Sequence, residues 1–190
     1  MTKKALRKQL RAQRKILSLT ERKRQSISLM HNALTTISLS YKNHIGIYFA
    51  TQEEIDTQPF ISHLLQAEQY IYLPTIDNDI LSFYSYKKNS QLITNQYHIK
   101  EPDKKKETYI EIENIHILFM PLVGFDSSGY RLGMGGGYYD KTLGSKSEYQ
   151  NNCKLVGLAY DIQEVPIIPR EKHDIRLDLI VTPTRIIKPK

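Results

Sequence analysis

The chain has 190 residues, of which 40% are hydrophobic and 25% are charged, and its one cysteine, Cys153, excludes an internal disulfide. This composition is typical of a globular protein and excludes collagen-like, disordered and coiled-coil classes. The longest apolar run, Ile117–Val123, contains a proline and is far shorter than the about 20 residues that a transmembrane helix needs. We therefore expect a single domain over residues 1–190, present in the cytoplasm as a monomer.

The net charge of +7 is concentrated at one end of the chain. Residues 1–24 hold ten basic side chains and one acidic one, a sum of +9, so the rest of the chain carries −2. A nucleic-acid-binding face spreads its positive charge over the fold and interleaves it with stacking aromatic rings, and residues 1–24 contain no aromatic residue. This segment is expected to be either a solvated helix face or a local site for an anion.

The first half of the chain alternates helices with short strands. Leu6, Leu10 and Leu17 lie on one face of a 3.6-residue repeat, which predicts an amphipathic helix. Thr57 is a predicted helix cap with Pro59 in the first turn, and Pro74 is expected to stop the strand that leads into it. The predicted elements are, in chain order, helices over 3–17 and 20–37, a strand over 45–49, a helix over 57–67, and strands over 70–73 and 81–86.

The second half contains a polar stretch and a glycine-rich stretch. Residues 87–107 are polar, and we expect a loop with at most one weak strand there. A glycine-rich turn over 124–137 leads into a helix that begins near Gly137 or Tyr138. Further strands are predicted over 115–120, 155–160 and 179–181.

Short apolar strands that alternate with helices predict a three-layer α/β/α fold with a largely parallel sheet. Ligands of such sheets bind at the carboxyl ends of the strands. This rule directs attention to the residues that follow Phe49, Met120 and Tyr160.

Pro121–Lys141 is the most informative segment, because four of the chain's 9 glycines fall within Gly133–Gly137. Dense glycines let backbone N–H groups approach an anion, and Arg131 can add a bidentate contact to a phosphate. The Walker pattern fails at Asp140 and the dinucleotide-binding pattern fails at Tyr138, since each requires glycine there. A carboxylate beside a phosphate loop makes sense as a magnesium ligand, but by itself this acid could equally pair with Arg131 or with the lysine that follows it.

The same segment resembles the signature of the 5-formyltetrahydrofolate cyclo-ligase family, F-D-x-x-G-x-R-L-G-x-G-x-G-Y-Y-D, which runs here from Phe125 to Asp140. Lys3–Arg7, Phe49–Thr57 and His173–Thr182 resemble further segments of that family in order and spacing. The resemblance implies a Rossmann-like fold and a reaction in which ATP and Mg²⁺ convert 5-formyltetrahydrofolate to 5,10-methenyltetrahydrofolate, with release of ADP and phosphate. Phosphoryl transfer of this kind needs positioning and charge neutralisation and no protein nucleophile.

The resemblance also implies roles for individual residues. Arg131 and Tyr138 are the expected catalytic residues, and Asp140 and Asp174 are the expected magnesium ligands, with Asp178 close in sequence to the second. Expected ATP contacts are Lys3, Lys4, Ala5, Leu6, Arg7, Arg131, Leu132, Gly133, Met134, Gly135, Gly136, Gly137, Tyr138 and Tyr139. Expected folate contacts are Arg7, Phe49, Glu54, Met134, Gly135, Gly136, Gly137 and Tyr138.

Glu54 has a physical reason for its expected role, since a carboxylate can accept paired hydrogen bonds from the amino and ring N–H groups of a pterin. Without the resemblance, the same residue would be interpreted as a solvated acid beside Glu53. Phe49, Tyr138 and Tyr139 could likewise be core residues, or their rings could stack on a ligand.

Two other function classes fit parts of the sequence. A sugar-phosphate isomerase or a coenzyme A transferase could share the fold, but either would use a catalytic carboxylate elsewhere and no nucleotide. ATP consumption therefore distinguishes these enzymes from a cyclo-ligase. An RNA-binding module would use the basic N-terminus. We expect small-molecule substrates, with no nucleic-acid and no membrane partner.

Overall fold

A computed structural model describes residues 1–144, 153–171 and 173–189 of the chain. The α-helices within these residues are α1 (Lys3–Ile16), α2 (Leu19–Thr36), α3 (Gln58–Gln66) and α4 (Tyr138–Gly144). Short 3-10 turns lie at Ile112–Asn114 and Asp161–Gln163. None of the described helices is long and apolar enough to cross a membrane.

The strands form one large sheet and two small hairpins. Within the described residues they are β1 (His44–Gly46), β2 (Tyr70–Asp77), β3 (Ile80–Tyr86), β4 (Leu92–Thr94), β5 (Lys100–Pro102), β6 (Tyr109–Ile110), β7 (Ile117–Pro121), β8 (Gly124–Phe125), β9 (Arg131–Leu132), β10 (Lys154–Leu158), β11 (Leu179–Val181) and β12 (Ile186–Ile187). The large sheet has the order β12–β11–β10–β7–β1–β2–β3–β6, while β4–β5 and β8–β9 form the separate hairpins.

The centre of the large sheet is parallel. Neighbouring strands from β11 through β10, β7 and β1 to β2 all run in the same direction, and β12 and β3 are antiparallel to their neighbours. From β1 the chain moves to one side to form β2 and later crosses to the other side to form β7. The strand order therefore reverses between β1 and β7, and a crevice opens at their carboxyl ends.

Both faces of this sheet are buried, as β7 shows residue by residue. Ile117 and Phe119 belong to the core under α2 and α3, whereas Leu118 and Met120 belong to the core on the opposite face. Helices α2 and α3 cover one face of the sheet. The other face is covered by α4, the β8–β9 hairpin and the 3-10 turn at Ile112–Asn114. A smaller apolar cluster lies under α1, which contributes Leu6 and Leu10; its other buried members are Val123, Leu132 and Ile168. The predicted α/β class with a largely parallel sheet is confirmed.

The prediction that Pro74 ends a strand is wrong. The strand β2 continues through Pro74 to Asp77 and stays paired with β3, Pro74 lying opposite Phe83. On its other side β2 pairs with β1 only as far as Tyr72. Proline is tolerated here because β2 has passed the end of that neighbour, so the missing N–H breaks no bond between them.

Residues 87–107 are also more ordered than the predicted loop. They form the β4–β5 hairpin, which Glu101 fastens to the large sheet. The Glu101 side chain is buried, and its Oε1 accepts hydrogen bonds from the Ile76 N–H at 2.9 Å and the Asn95 amide at 2.6 Å. Strands of three residues are too short to show an alternating pattern, so the sequence gives no sign of this hairpin.

Thr57 does not cap α3 with its side chain, contrary to the prediction. Its hydroxyl donates to the Tyr48 carbonyl at 2.6 Å instead, and Asp56 Oδ1 accepts a hydrogen bond from the Gln58 N–H. The strand β1 is correspondingly shorter than the predicted 45–49, since the chain leaves the sheet after Gly46. This early departure brings the next residues to the crevice.

Candidate active site

A cleft of about 550 Å³ lies at the point where the strand order reverses, a volume suited to a small molecule. Arg11 of α1, Pro74 and Ile76 of β2 and Leu81 of β3 contribute to its lining, but most of the lining comes from four segments. They are the residues after β1, the residues after β7, the β4–β5 hairpin, and the glycine segment that we define as Gly133–Gly137 together with the start of α4. The location is the one that the parallel sheet predicts.

The backbone of the glycine segment is open and tied to α1. Arg7 Nε donates to the Gly133 carbonyl at 2.8 Å. Gly135 and Gly137 have φ angles of 113° and 70°, which glycine adopts without strain. A Cβ on Gly136 would lie 2.6 Å from the ring of Tyr138, so a side chain there would displace that ring from the loop.

Arg131 and Asp140 form an ion pair beside the glycine segment. Arg131 Nη2 donates to Asp140 Oδ1 at 2.7 Å, and its Nη1 donates to the Ile175 carbonyl at 3.0 Å. The Arg131 side chain is 4% exposed and that of Asp140 is 21% exposed, so the pair is largely shielded from water. Lys141 pairs instead with Asp79, at 3.2 Å. Of the two partners that the sequence left open for Asp140, the structure selects the arginine.

Lys3 and Asp174, which are 171 residues apart in sequence, also meet. Lys3 Nζ lies 2.8 Å from Asp174 Oδ2 and 3.3 Å from Glu171. Burial opposes the charge of Asp174, but the hydrogen bonds from Lys3 and the Glu171 N–H lower its pKa overall. Glu171, His173 and Asp174 offer ligand atoms within 4.8 Å of one another, and the Lys3 ammonium already pairs with both carboxylates of this group.

Glu54 lies in the cleft wall with hydrogen bonds from one neighbour. Its Oε2 accepts from the Thr51 N–H at 2.8 Å and from the Thr51 hydroxyl at 3.0 Å. Burial nevertheless raises the pKa of Glu54 above its ordinary value. Burial and the nearby Glu54 also raise the pKa of Tyr139 well above that of a free tyrosine. Phe49 lines the same wall and packs edge-to-face on Tyr86, with 5.5 Å between the ring centroids.

The structure brings many of the expected site residues together in the cleft lining. These are Phe49, Glu54, Arg131, Gly133, Met134, Gly136, Gly137, Tyr138, Tyr139 and Asp140. Expected residues outside the lining are Lys3, Lys4, Ala5, Leu6, Arg7, Leu132, Gly135 and Asp174. Among the latter, Leu6 and Leu132 belong to the apolar cluster under α1, and Lys4 and Ala5 are exposed. Asp178 accepts a hydrogen bond from the Leu155 N–H and lies outside the lining.

The sequence missed the contribution of the β4–β5 hairpin to the cleft. Tyr97, Ile99, Lys100 and Glu101 all line it, and the Tyr138 hydroxyl donates to the Tyr97 hydroxyl at 3.3 Å. The hairpin and the start of α4 therefore meet at the rim of the cleft.

The basic N-terminal segment serves largely to hold the fold together. Arg11 makes two hydrogen bonds with Glu53, at 2.7 and 2.8 Å, and the buried Arg14 lies 3.3 Å from the same carboxylate. Arg22 donates to the carbonyls of Leu17, Arg14 and Gln52. These contacts join α1 and α2 to the loop that carries Glu54.

The fold and the cleft define an α/β protein of the doubly wound class with a small-molecule site at the reversal of its strand order. The chain belongs to the 5-formyltetrahydrofolate cyclo-ligase family, whose model matches residues 1–183. It is 37% identical over 145 residues to the 5-formyltetrahydrofolate cyclo-ligase of Escherichia coli (strain K12), covering 75% of this chain and 79% of that one. Its identity to the Haemophilus influenzae protein of the same name is 34% over 181 residues, covering 93% and 95%.

A solved structure agrees with this assignment. The NMR structure of Aquifex aeolicus 5,10-methenyltetrahydrofolate synthetase is 29% identical, with a TM-score of 0.85 over 99% of this chain and 93% of that one. The predicted family is confirmed, and the comparisons do not support the isomerase, transferase or RNA-binding alternatives.

Proposed function

We propose that the protein converts 5-formyltetrahydrofolate to 5,10-methenyltetrahydrofolate and hydrolyses ATP to ADP and phosphate in doing so. The observation that carries the proposal is the position of the family signature, Phe125–Asp140, whose glycine segment, Arg131 and Asp140 line a cleft at the reversal of the strand order. The relatives that match over most of the chain carry the name of this reaction.

In the proposed reaction the formyl oxygen attacks the γ-phosphorus of ATP, and the bond to ADP breaks. The N10 amine of the folate then attacks the activated formyl carbon, loses its proton, and phosphate leaves with the former formyl oxygen. No group of the protein forms a bond. Cys153 is not a candidate nucleophile, because it is buried and because burial and the nearby Asp178 raise the pKa of its thiol to about 12.

The protein's part is to position the phosphates and to offset their charge. The open backbone of the glycine segment supplies N–H donors, and Arg7 holds that segment through the Gly133 carbonyl. Arg131 has a fixed orientation because Asp140 and the Ile175 carbonyl bind its two terminal nitrogens. We assign Arg131 to the transferring phosphoryl group and Tyr138 to the substrate beside it.

Magnesium, which would neutralise phosphate charge, fits Asp140 better than Asp174. Asp140 lines the cleft, and its Oδ1 accepts hydrogen bonds from Arg131 and from the Ile175 N–H. No described residue donates a hydrogen bond to its Oδ2. Both oxygens of Asp174 accept from Lys3, so this acid would have to release the lysine in order to bind a metal. We propose Asp140 as the principal magnesium ligand and Asp174 as the second acid, available on that exchange.

On the folate side, we propose that Glu54 accepts hydrogen bonds from the pterin and that Phe49 contacts its ring. A partly buried carboxylate with Oε2 fastened to Thr51 has a defined orientation, which paired hydrogen bonds require. We further propose that the protein acts as a monomer in the cytoplasm on these two small molecules.

The direct test is to mix the protein with 5-formyltetrahydrofolate, ATP and Mg²⁺ and to follow the near-ultraviolet absorbance of methenyltetrahydrofolate. We expect product and ADP in equal amounts, and none when ATP is omitted. The absence of product with every nucleotide tried would overturn the proposed function.

The ATP side is tested by Arg7→Ala, with the exposed neighbour Lys8→Ala as the matched control. Losing a charged hydrogen bond of about 1.5–3 kcal/mol should raise the KM for ATP about tenfold or more, while Lys8→Ala should leave it unchanged. Equal KM values for both variants and the wild type would contradict a role of α1 in ATP binding and leave it a structural role alone.

A further inference from the structure

Most charged groups of the cleft lining have a partner of opposite charge. Arg11 is bound on two nitrogens by Glu53, at 2.7 and 2.8 Å, and Arg131 is bound by Asp140 at 2.7 Å. These pairs use the charge that they would otherwise present to a ligand. Neither pair therefore presents a net charge to the folate, and Arg131 and Asp140 keep the roles proposed above toward phosphate and magnesium.

Three charged lining residues are outside these pairs. Glu101 is 6% exposed, and its Oε1 is used by the Ile76 N–H and by Asn95. Glu54 has hydrogen bonds from Thr51 and no ion pair with a described residue. Lys100 is exposed, and no described residue accepts a hydrogen bond from its ammonium. The cleft thus offers a carboxylate in the wall after β1 and an ammonium on the β4–β5 hairpin.

The hairpin that carries Lys100 is fastened to neighbouring elements. Its neighbour Glu101 fastens the hairpin to β2, and Tyr97 accepts a hydrogen bond from Tyr138 at the rim of the cleft. Ile99 and Tyr97 line the cleft on the same hairpin and add apolar and aromatic surface beside the ammonium. Apolar surface next to a cation suits a ligand that carries an anionic group on an aromatic ring.

We propose that Lys100 binds a carboxylate of the substrate's glutamate moiety, and that Ile99 and Tyr97 contact the aminobenzoyl ring that precedes it. This inference rests on the proposed function, since it takes a reduced folate as the substrate. A folate has hydrogen-bond donors on the pterin at one end and carboxylates at the other. The two groups of the cleft match these ends, so the pterin lies at Glu54 and the glutamate at the hairpin.

The test compares two substrates in Lys100→Ala: 5-formyltetrahydrofolate, and 5-formyltetrahydropteroate, which lacks the glutamate. We expect kcat/KM for the complete substrate to fall about tenfold and kcat/KM for the truncated one to stay at the wild-type value. Lys88→Ala, an exposed lysine of the same excursion that does not line the cleft, should change neither value.

Equal effects of Lys100→Ala on both substrates, or no effect on either, would overturn the assignment. A wild-type protein without turnover would instead overturn the proposed function, and the two failures are therefore distinguishable. In that case equilibrium binding of the two pteroyl compounds without ATP gives the same comparison: a loss of affinity restricted to the glutamate-bearing compound supports the role of Lys100, and any other pattern contradicts it.

Discussion

Among single residues, Glu54 is a carboxylate whose buried surroundings oppose its charge. Because burial raises its pKa in the folded protein, the fold binds its proton more tightly than the unfolded chain does. Glu54 therefore destabilises the fold at neutral pH, and this cost disappears as the pH falls towards the ordinary value of 4.5. A group kept at such a cost is expected at a binding site.

We accordingly expect Glu54→Gln to raise the free energy of unfolding at pH 7 and to raise the KM for 5-formyltetrahydrofolate, with the gain in stability fading towards pH 4.5. The matched control is Glu53→Gln, because hydrogen bonds from Arg11 lower the pKa of Glu53 and its charge stabilises the fold. That variant should lose stability at pH 7. Urea unfolding at several pH values measures both, and a destabilised Glu54→Gln protein would contradict this account.

Replacing Asp140 is expected to lower the stability of the fold in addition to removing a metal ligand. Asp140→Asn leaves the guanidinium of Arg131, 4% exposed, without its counter-charge. Loss of one partner of a buried pair costs about 3–5 kcal/mol, and the partial exposure of Asp140 favours the lower end. We expect that loss in stability together with at least about a hundredfold lower kcat/KM, part of which excess Mg²⁺ restores.

The control for Asp140→Asn is Asp79→Asn, which removes the exposed partner of Lys141 in the same helix. A surface pair is worth at most about 1 kcal/mol, so this change should affect neither stability nor turnover strongly. Near wild-type activity and unaltered magnesium dependence in Asp140→Asn would contradict the assignment of Asp140 as a magnesium ligand.

Among the elements, the β4–β5 hairpin is joined to β2 by the buried Glu101 side chain. Glu101→Ala removes the acceptor of the Ile76 N–H and of Asn95. We expect a loss of about 1–3 kcal/mol in stability and a raised KM for 5-formyltetrahydrofolate, with the KM for ATP unchanged. Ile93→Ala, on the exposed face of β4, is the control and should alter neither KM. Equal increases in both KM values would show that the hairpin does not serve the folate side alone.

At the scale of the whole molecule, the apolar clusters meet across one sheet. Strands such as β7 contribute alternate residues to both main clusters, so neither can unfold without exposing the other. We expect one calorimetric transition with equal calorimetric and van't Hoff enthalpies, as a single domain requires. Ligands at 100 times their Kd should add about 2.7 kcal/mol, which is a rise of about 5–11 °C in Tm for a protein of this size. Two separate transitions would contradict the single-domain prediction.

The sequence by itself determined the features that depend on neighbours along the chain. The spacing of Leu6 and Leu10 predicted α1, and the signature from Phe125 to Asp140 identified the glycine segment and the family. Both are local patterns: a helix repeats every 3.6 residues, and a loop that must approach a ligand needs its glycines in a fixed order. The parallel sheet also followed, because apolar strands alternating with helices have few other ways to bury both faces.

Only the tertiary structure decided which distant residues meet. Lys3 pairs with Asp174 across 171 residues, and the hairpin with Lys100 reaches the cleft because β2 and β3 extend beyond the end of β1. Asp140 could have bound either of two cations, and the burial of Arg131 beside it selected one. Such contacts depend on the order in which strands assemble and on which charges the assembly removes from water, and neither property is written in the spacing of residues along the chain.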